Sequence, residues 1–255
     1  MKKRDEAAAP SGLTRRELLG SSAALLVGAA APGAAQALTF QGTPEWKPMA
    51  NVAVEPVDES AGWQFFTDEE AATVEAIVER LIPGDDLSIS GKEAGCAVFI
   101  DRQLAGAYGG FERLYMHGPF QEGTPEQGDQ SPLTPGQRYR IGLAALDDHC
   151  RNAHGAAFAE LDDARRDQLL GQLEQNEIAL GDIDSQAFFE IVLQNTMEGF
   201  FADPLYGGNR DMVSWKMLGF PGARYDYRDY IERHNEDLEF TPVSIGGRSD
   251  WQAQG

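Results

Sequence analysis

Cysteine and histidine are scarce in this chain of 255 residues, which has two cysteines and four histidines. Two cysteines cannot hold an ordinary four-thiolate iron–sulfur cluster, and the motif Cys-x-x-Cys-His of covalent haem c does not occur. The sequence also lacks Gly-x-Gly-x-x-Gly, Gly-x-Ser-x-Gly and His-Glu-x-x-His. These absences exclude the usual dinucleotide-binding site, the α/β-hydrolase nucleophile and the zinc helix of metalloproteases. We therefore predict no catalytic, cofactor-binding or metal-binding residues in this chain.

Basic residues and long apolar runs are scarce as well. The chain has 21 basic and 41 acidic residues, a formal net charge of −20. So acidic a surface repels nucleic acid and anionic lipid heads, and neither is expected as a partner. Beyond the N-terminal 37 residues, no apolar run approaches the length that spans a bilayer, so no membrane span is expected there.

The N-terminus has the features of a twin-arginine export signal. Thr14-Arg15-Arg16-Glu17-Leu18-Leu19 precedes a weakly apolar stretch, and Ala35-Gln36-Ala37 supplies a small-x-small cleavage site. The apolar stretch is about 14 residues long, too short for a comfortable membrane anchor. We predict periplasmic export with cleavage after Ala37. This route carries proteins already folded in the cytoplasm, and such cargo usually holds a cofactor or a partner that does.

The spacing of apolar residues predicts an all-α fold after the signal. Helices are expected from the capping box Thr67/Glu70 to Pro83, over Glu93–Leu104, from Thr134-Pro135 onward, after Asp162, along the stripe Phe188–Phe201 and over Arg210–Leu218. Residues 106–131 form a long polar loop. The predicted organisation is a signal over 1–37, an extended lead-in over 38–62, one compact helical domain over 63–227 and an irregular aromatic tail over 228–255.

The two cysteines leave three alternatives open. Cys96 and Cys150 lie in predicted helices, and in an oxidising compartment they form an internal disulfide, bond to a partner subunit or stay free and buried. Cys150 and His154 are four residues apart and share a helix face, which would suit two metal ligands, but no third ligand is apparent nearby. A free-standing periplasmic enzyme or metal-binding protein is therefore the alternative to a partner-dependent function.

The most specific segment has two glycine-rich turns on either side of a short aromatic helix. Asp203-Pro204 ends a helix, Gly207-Gly208-Asn209 favours positive φ, and Gly219-Phe220-Pro221-Gly222 is a second turn. Such a segment is either a packed corner or a surface that presents aromatic anchors to a partner. We predict that the partner-binding residues are Asp203, Tyr206, Gly207, Gly208, Asn209, Trp215, Gly219, Phe220 and Pro221.

Together with Phe65-Phe66-Thr67-Asp68-Glu69-Glu70, Arg80-Leu81-Ile82-Pro83 and Phe99-Ile100-Asp101, this segment resembles the gluconate 2-dehydrogenase subunit 3 family over roughly Trp63 to Tyr227. The resemblance implies a non-catalytic small subunit of a periplasmic sugar, sugar-acid or polyol dehydrogenase. Its implied partner is a large FAD-dependent subunit of the glucose–methanol–choline type, often joined by a multihaem cytochrome c. It also implies that the small subunit carries the export signal for its flavoprotein.

Overall fold

Six α-helices form the regular structure in the computed structural model, which describes residues 56–121, 123, 124, 127, 130–224 and 226–247. They are α1 (Asp68–Leu81), α2 (Cys96–Ala105), α3 (Pro135–His154), α4 (Asp163–Glu174), α5 (Ser185–Phe201) and α6 (Val213–Leu218). The described part of the chain has no β-strand, only two isolated bridges. The prediction of an all-α fold is confirmed. The signal residues Arg15, Arg16, Ala35 and Ala37 lie outside the described residues.

The helix starts follow from capping side chains that are visible in the sequence. At α1, the Glu70 backbone N–H donates to Thr67 Oγ1 at 3.2 Å and the Thr67 N–H donates to the Glu70 carboxylate at 2.8 Å. The same reciprocal pair joins Thr134 and Gln137 at α3. Each pair satisfies backbone N–H groups that have no partner within the helix. Both predicted capping boxes are confirmed.

Two predicted helices begin later than expected, in each case because of left-handed backbone. The helix predicted from Glu93 begins only at Cys96, since Gly95 has φ 83° and ends a preceding turn. The helix predicted from Arg210 begins only at Val213, since Asp211 and Met212 have φ of 57° and 55°. A right-handed α-helix cannot run through such residues.

Helix α5 lies at the centre of the fold and packs against each of the other five α-helices. Its apolar stripe is buried at Phe188, Phe189, Val192, Thr196 and Phe200, as the spacing predicts. Met197, predicted to belong to the same stripe, is instead exposed to solvent. A stripe that covers so much of the helix circumference suits a helix with neighbours on several sides.

The chain before α1 is tied to α2 by two adjacent charged residues. Asp101 is fully buried, and its carboxylate accepts hydrogen bonds from the backbone N–H groups of Gln64, Phe65 and Phe66, each at 2.9 Å. Arg102 forms an ion pair with Asp101 and donates to the Gly62 carbonyl at 2.8 Å. The Phe-Ile-Asp sequence was noted above, but its spacing gave no indication of this anchoring role.

Candidate partner-binding corner

Residues 203–222, here called the glycine corner, connect the end of α5 to α6 and the second glycine turn. Asp203 begins the corner, and its Oδ1 accepts the Leu205 backbone N–H at 2.9 Å, which caps the 3₁₀ turn Pro204–Tyr206. Gly207 follows with φ 94°, a conformation that favours glycine. Gly219 and Gly222 also have positive φ. Both predicted turns are confirmed.

Gly208 lets the corner lie directly on α5. A Cβ atom at this position would lie 2.1 Å from the carbonyl oxygen of Gly199 and 2.8 Å from its carbonyl carbon. These are backbone atoms of a buried helix, which cannot move aside cheaply. The absence of a side chain at Gly208 therefore allows a close approach of the two backbones that no larger residue permits at this position.

Asn209 holds the corner together from within. Its side chain is fully buried, donates to the Ala202 carbonyl at 2.8 Å, and accepts the backbone N–H and the hydroxyl of Ser214 at 3.0 and 2.8 Å. Its φ is 46°, a left-handed conformation that asparagine tolerates better than most residues. Asn209 thus joins the end of α5 to the first turn of α6.

Trp215, predicted as an aromatic anchor for a partner, lies inside the corner and is only 6% exposed. Its indole N–H donates to the Phe201 carbonyl at 3.0 Å, and its ring packs edge-to-face on Phe220 with centroids 5.3 Å apart. In this chain Trp215 therefore fixes α6 to α5. Several other residues predicted to contact a partner are buried too, namely Asp203, Gly207, Gly208 and Asn209.

The surface of the corner is nevertheless rich in exposed apolar side chains. Of the predicted contact residues, Tyr206 and Phe220 are exposed, Gly219 lies at the surface, and Pro221 is half-buried. The structure adds Met217 and Leu218, of which Leu218 is 62% exposed. Sequence reasoning missed these two because an apolar residue on a short helix is more often core than surface. Clustered apolar exposure of this kind is typical of interaction surfaces.

The C-terminal tail is fastened to the corner through backbone groups. Val243 accepts the Ala223 N–H at 2.7 Å and donates to the Pro221 carbonyl at 3.3 Å. Ile245 donates its N–H to Asp203 Oδ2 at 2.7 Å, so one buried carboxylate holds both the corner and the tail. Tyr230 and Tyr227 pack on Phe240, while Tyr225 and Trp251 lie outside the described residues. The spacing of the tail residues does not predict this attachment.

The corner is also hydrogen-bonded to two segments that precede it by more than 100 residues. The Val57 N–H donates to the Leu205 carbonyl at 3.0 Å. The Arg210 N–H donates to the Ala94 carbonyl at 3.0 Å, and its guanidinium donates to the Glu93 carbonyl at 2.6 Å. The glycine corner is therefore a junction of four stretches that are distant in sequence.

The alternative metal site at Cys150 and His154 has no third ligand among the described residues. Within residues 56–247, as far as they are described, no group of three or more His, Cys, Asp or Glu side chains is placed to hold a metal ion. Cys150 is fully buried, and the His154 ring nitrogen Nδ1 lies 2.8 Å from the Arg165 guanidinium.

The family model for gluconate 2-dehydrogenase subunit 3 matches residues 68–222, from the first residue of α1 to the last glycine of the corner. This match covers more than half of the chain. The chain belongs to the gluconate 2-dehydrogenase subunit 3 family. Searches of curated proteins and of solved structures found no match. The matched region of this subunit 3 family member contains all six α-helices and the whole corner, whereas Val243 and Ile245 lie beyond it.

In the described part of this subunit 3 family member, no helix combines the length and the apolar character needed to cross a bilayer.

Both cysteines of this subunit 3 family member are free and buried. Burial raises the pKa of the Cys96 thiol to about 12. Burial, followed by the nearby charge of Asp147, raises the pKa of the Cys150 thiol to about 11. Because the thiolate is the reactive form, both thiols are inert in the folded chain.

We expect neither cysteine of the folded chain to react appreciably with an exposed-thiol reagent at pH 8, and both to react in urea. The reason is that each thiol is both inaccessible and protonated in the fold. Counting labels by intact mass measures this directly. Because folding raises the pKa of both thiols above their ordinary value of 9, their contribution to the free energy of unfolding is fully present below pH 9. It is lost as the pH rises from 9 toward the pKa values in the folded chain. Rapid labelling of native protein, or a mass showing a disulfide, would contradict this assignment.

Proposed function

We propose that this chain is the non-catalytic small subunit that binds, stabilises and co-exports the FAD-dependent catalytic subunit of a gluconate, sugar or polyol dehydrogenase. The observation that carries the proposal is the subunit 3 family match, and the Arg15-Arg16 pair, which we predict to belong to a twin-arginine signal, supports it. A dehydrogenase complex with several subunits needs only one export signal if its subunits fold and associate before transport.

The sequence and the surface both support a partner-dependent role. The chain has none of the cofactor motifs named above, so we assign FAD to a large partner subunit of the glucose–methanol–choline type and haem c to a third, cytochrome subunit where one is present. Exposed Tyr206, Leu218 and Phe220 provide apolar surface that a partner would cover. The assembled complex lies in the periplasm and associates with the membrane through its other subunits.

The test is to change Arg15-Arg16 to Lys-Lys and co-express the chain with its flavoprotein. We expect most of the flavoprotein to stay in the cytoplasm, because its only route to the periplasm is bound to this subunit. Flavin content and dye-linked dehydrogenase activity of the periplasmic fraction measure the export.

The matched control changes Lys2-Lys3 to Arg-Arg, which alters two basic residues of the same leader and leaves Arg15-Arg16 intact. This variant is expected to export the flavoprotein normally. If the flavoprotein reaches the periplasm in full amount with Lys-Lys at 15 and 16, the co-export proposal is wrong. Dehydrogenase activity of the purified chain alone would instead favour a free-standing enzyme.

A further inference from the structure

A second apolar surface adjoins the glycine corner, in the loop of residues 84–89 that follows α1. Leu87 is 75% exposed, and Ile89 is also exposed. The loop is folded rather than extended, since Asp85 Oδ1 accepts the backbone N–H groups of Leu87 and Ser88 at 2.8 and 3.0 Å. The Asp85 N–H also donates to the Ser88 carbonyl at 2.9 Å. The protein therefore holds Leu87 in a defined position facing solvent.

This loop and the start of α6 line a shallow, open cleft of about 650 Å³. Its apolar lining residues are Leu87 and Ile89 of the loop and Val213, the first residue of α6. Val213 and Met217 are four residues apart on α6, and Met217, Leu218 and Phe220 are exposed at its C-terminal end. We call the apolar residues Leu87, Ile89, Val213, Met217, Leu218 and Phe220 together the docking face.

The charged residues that line the cleft are all acidic. Asp85, Asp86 and Glu93 contribute to its lining, and no basic side chain of the described residues does. The Glu93 carboxylate accepts the Ser90 N–H and hydroxyl at 3.0 and 3.1 Å, while Asp86 is exposed at the rim. An apolar cleft rimmed by carboxylates is complementary to a segment that carries an apolar side chain beside lysine or arginine, whose long stems also pack on apolar surface.

We propose that the docking face binds a basic segment of the catalytic subunit, which inserts one apolar side chain between the 84–89 loop and α6. This inference rests on the proposed function and names the chemistry of the contact. The carboxylates of the cleft steer and orient the basic segment, and Leu87, Ile89 and Val213 cover its apolar side chain. The family match contains both parts of the face, since it runs from residue 68 to residue 222.

The test measures binding of the purified catalytic subunit to Asp86→Lys and Leu87→Ser variants of this chain. Each variant is expected to bind about tenfold more weakly. Asp86→Lys places like charges together, and Leu87→Ser removes an apolar contact of the docking face. The charge reversal should also reduce the dependence of affinity on salt. Both side chains are exposed, so the thermal unfolding of the free chain should be unchanged.

Matched controls are Asp148→Lys and Tyr115→Ser, which change an exposed carboxylate and an 85% exposed aromatic residue away from the docking face. They should bind like the unchanged chain. Hydrogen exchange in the purified complex should show protection of residues 84–89 and 213–220. A complex that forms with protection elsewhere, or with full affinity for both docking-face variants, would overturn the inference and leave the proposed function standing. If the unchanged chain forms no complex with the catalytic subunit, both are wrong. If this face pairs instead with a second copy of the chain while the complex still forms, the inference alone is wrong.

Discussion

Replacing Asp101 with alanine is expected to lower the free energy of unfolding by about 3–5 kcal/mol, the range for removing one partner of a buried ion pair. Three backbone N–H groups, those of Gln64, Phe65 and Phe66, would lose their acceptor. The guanidinium of Arg102, whose side chain is 9% exposed, would lose its counter-charge. A loss of this size is a large part of the stability of a typical domain.

Urea unfolding followed by circular dichroism measures this loss. Asp101→Asn is the informative comparison, because the asparagine carbonyl oxygen still accepts backbone N–H groups while the charge is lost. The free energy of unfolding of this variant should lie between those of the alanine variant and the unchanged chain. Asp148→Ala, at a side chain 76% exposed, should change the unfolding free energy by no more than about 0.5 kcal/mol. An Asp101→Ala midpoint as high as that of Asp148→Ala would mean that the anchoring of residues 64–66 contributes little.

Replacing Asn209 with alanine is expected to destabilise the chain by about 3–4 kcal/mol and to weaken binding of the catalytic subunit. The Ala202 carbonyl and the Ser214 hydroxyl and N–H would all lose their buried partner. Alanine would also have to keep φ at 46°, which costs about 1–2 kcal/mol for an L-residue other than glycine or asparagine. The corner would then no longer hold α6, Met217 and Phe220 in place.

Asn209→Gly separates the two causes, because glycine accepts the left-handed conformation and loses only the hydrogen bonds. We expect stability to decrease in the order asparagine, glycine, alanine, measured by urea unfolding. Hydrogen exchange should show the added opening confined to residues 199–222 at low urea. Equal stability of the glycine and alanine variants would show that backbone conformation at residue 209 contributes nothing.

Helices and turns were predictable from the sequence where the pattern that indicates them involves only neighbouring residues. The capping boxes at Thr67 and Thr134 and the glycine turns need only residues within a few positions of one another, and the structure has them where the sequence places them. The starts of α2 and α6 were wrong by three residues each. Left-handed conformations at Asp211 and Met212 depend on the packing of the whole corner, which propensity does not describe.

The direction in which each side chain of the corner faces was not predictable. Trp215 and Phe220 are both aromatic residues of the glycine corner, and the sequence does not distinguish them. Trp215 is buried and its indole N–H donates to the Phe201 carbonyl, whereas Phe220 is exposed. Aromatic residues serve equally well as core and as interface anchors. The exposure of Leu87 next to α6 was not predicted either, since an isolated leucine in a loop does not reveal which residues lie beside it.

The sequence by itself determined the helical class, the family and the glycine-rich segment, because periodicity, caps and motifs depend on residues that are close together in the chain. The tertiary structure alone decided that Asp101 and Asp203 act as anchors for distant backbone, that both thiols are enclosed, and that the 84–89 loop meets α6. The two anchors and the meeting of the loop with α6 join residues more than 30 positions apart, which no local sequence pattern describes.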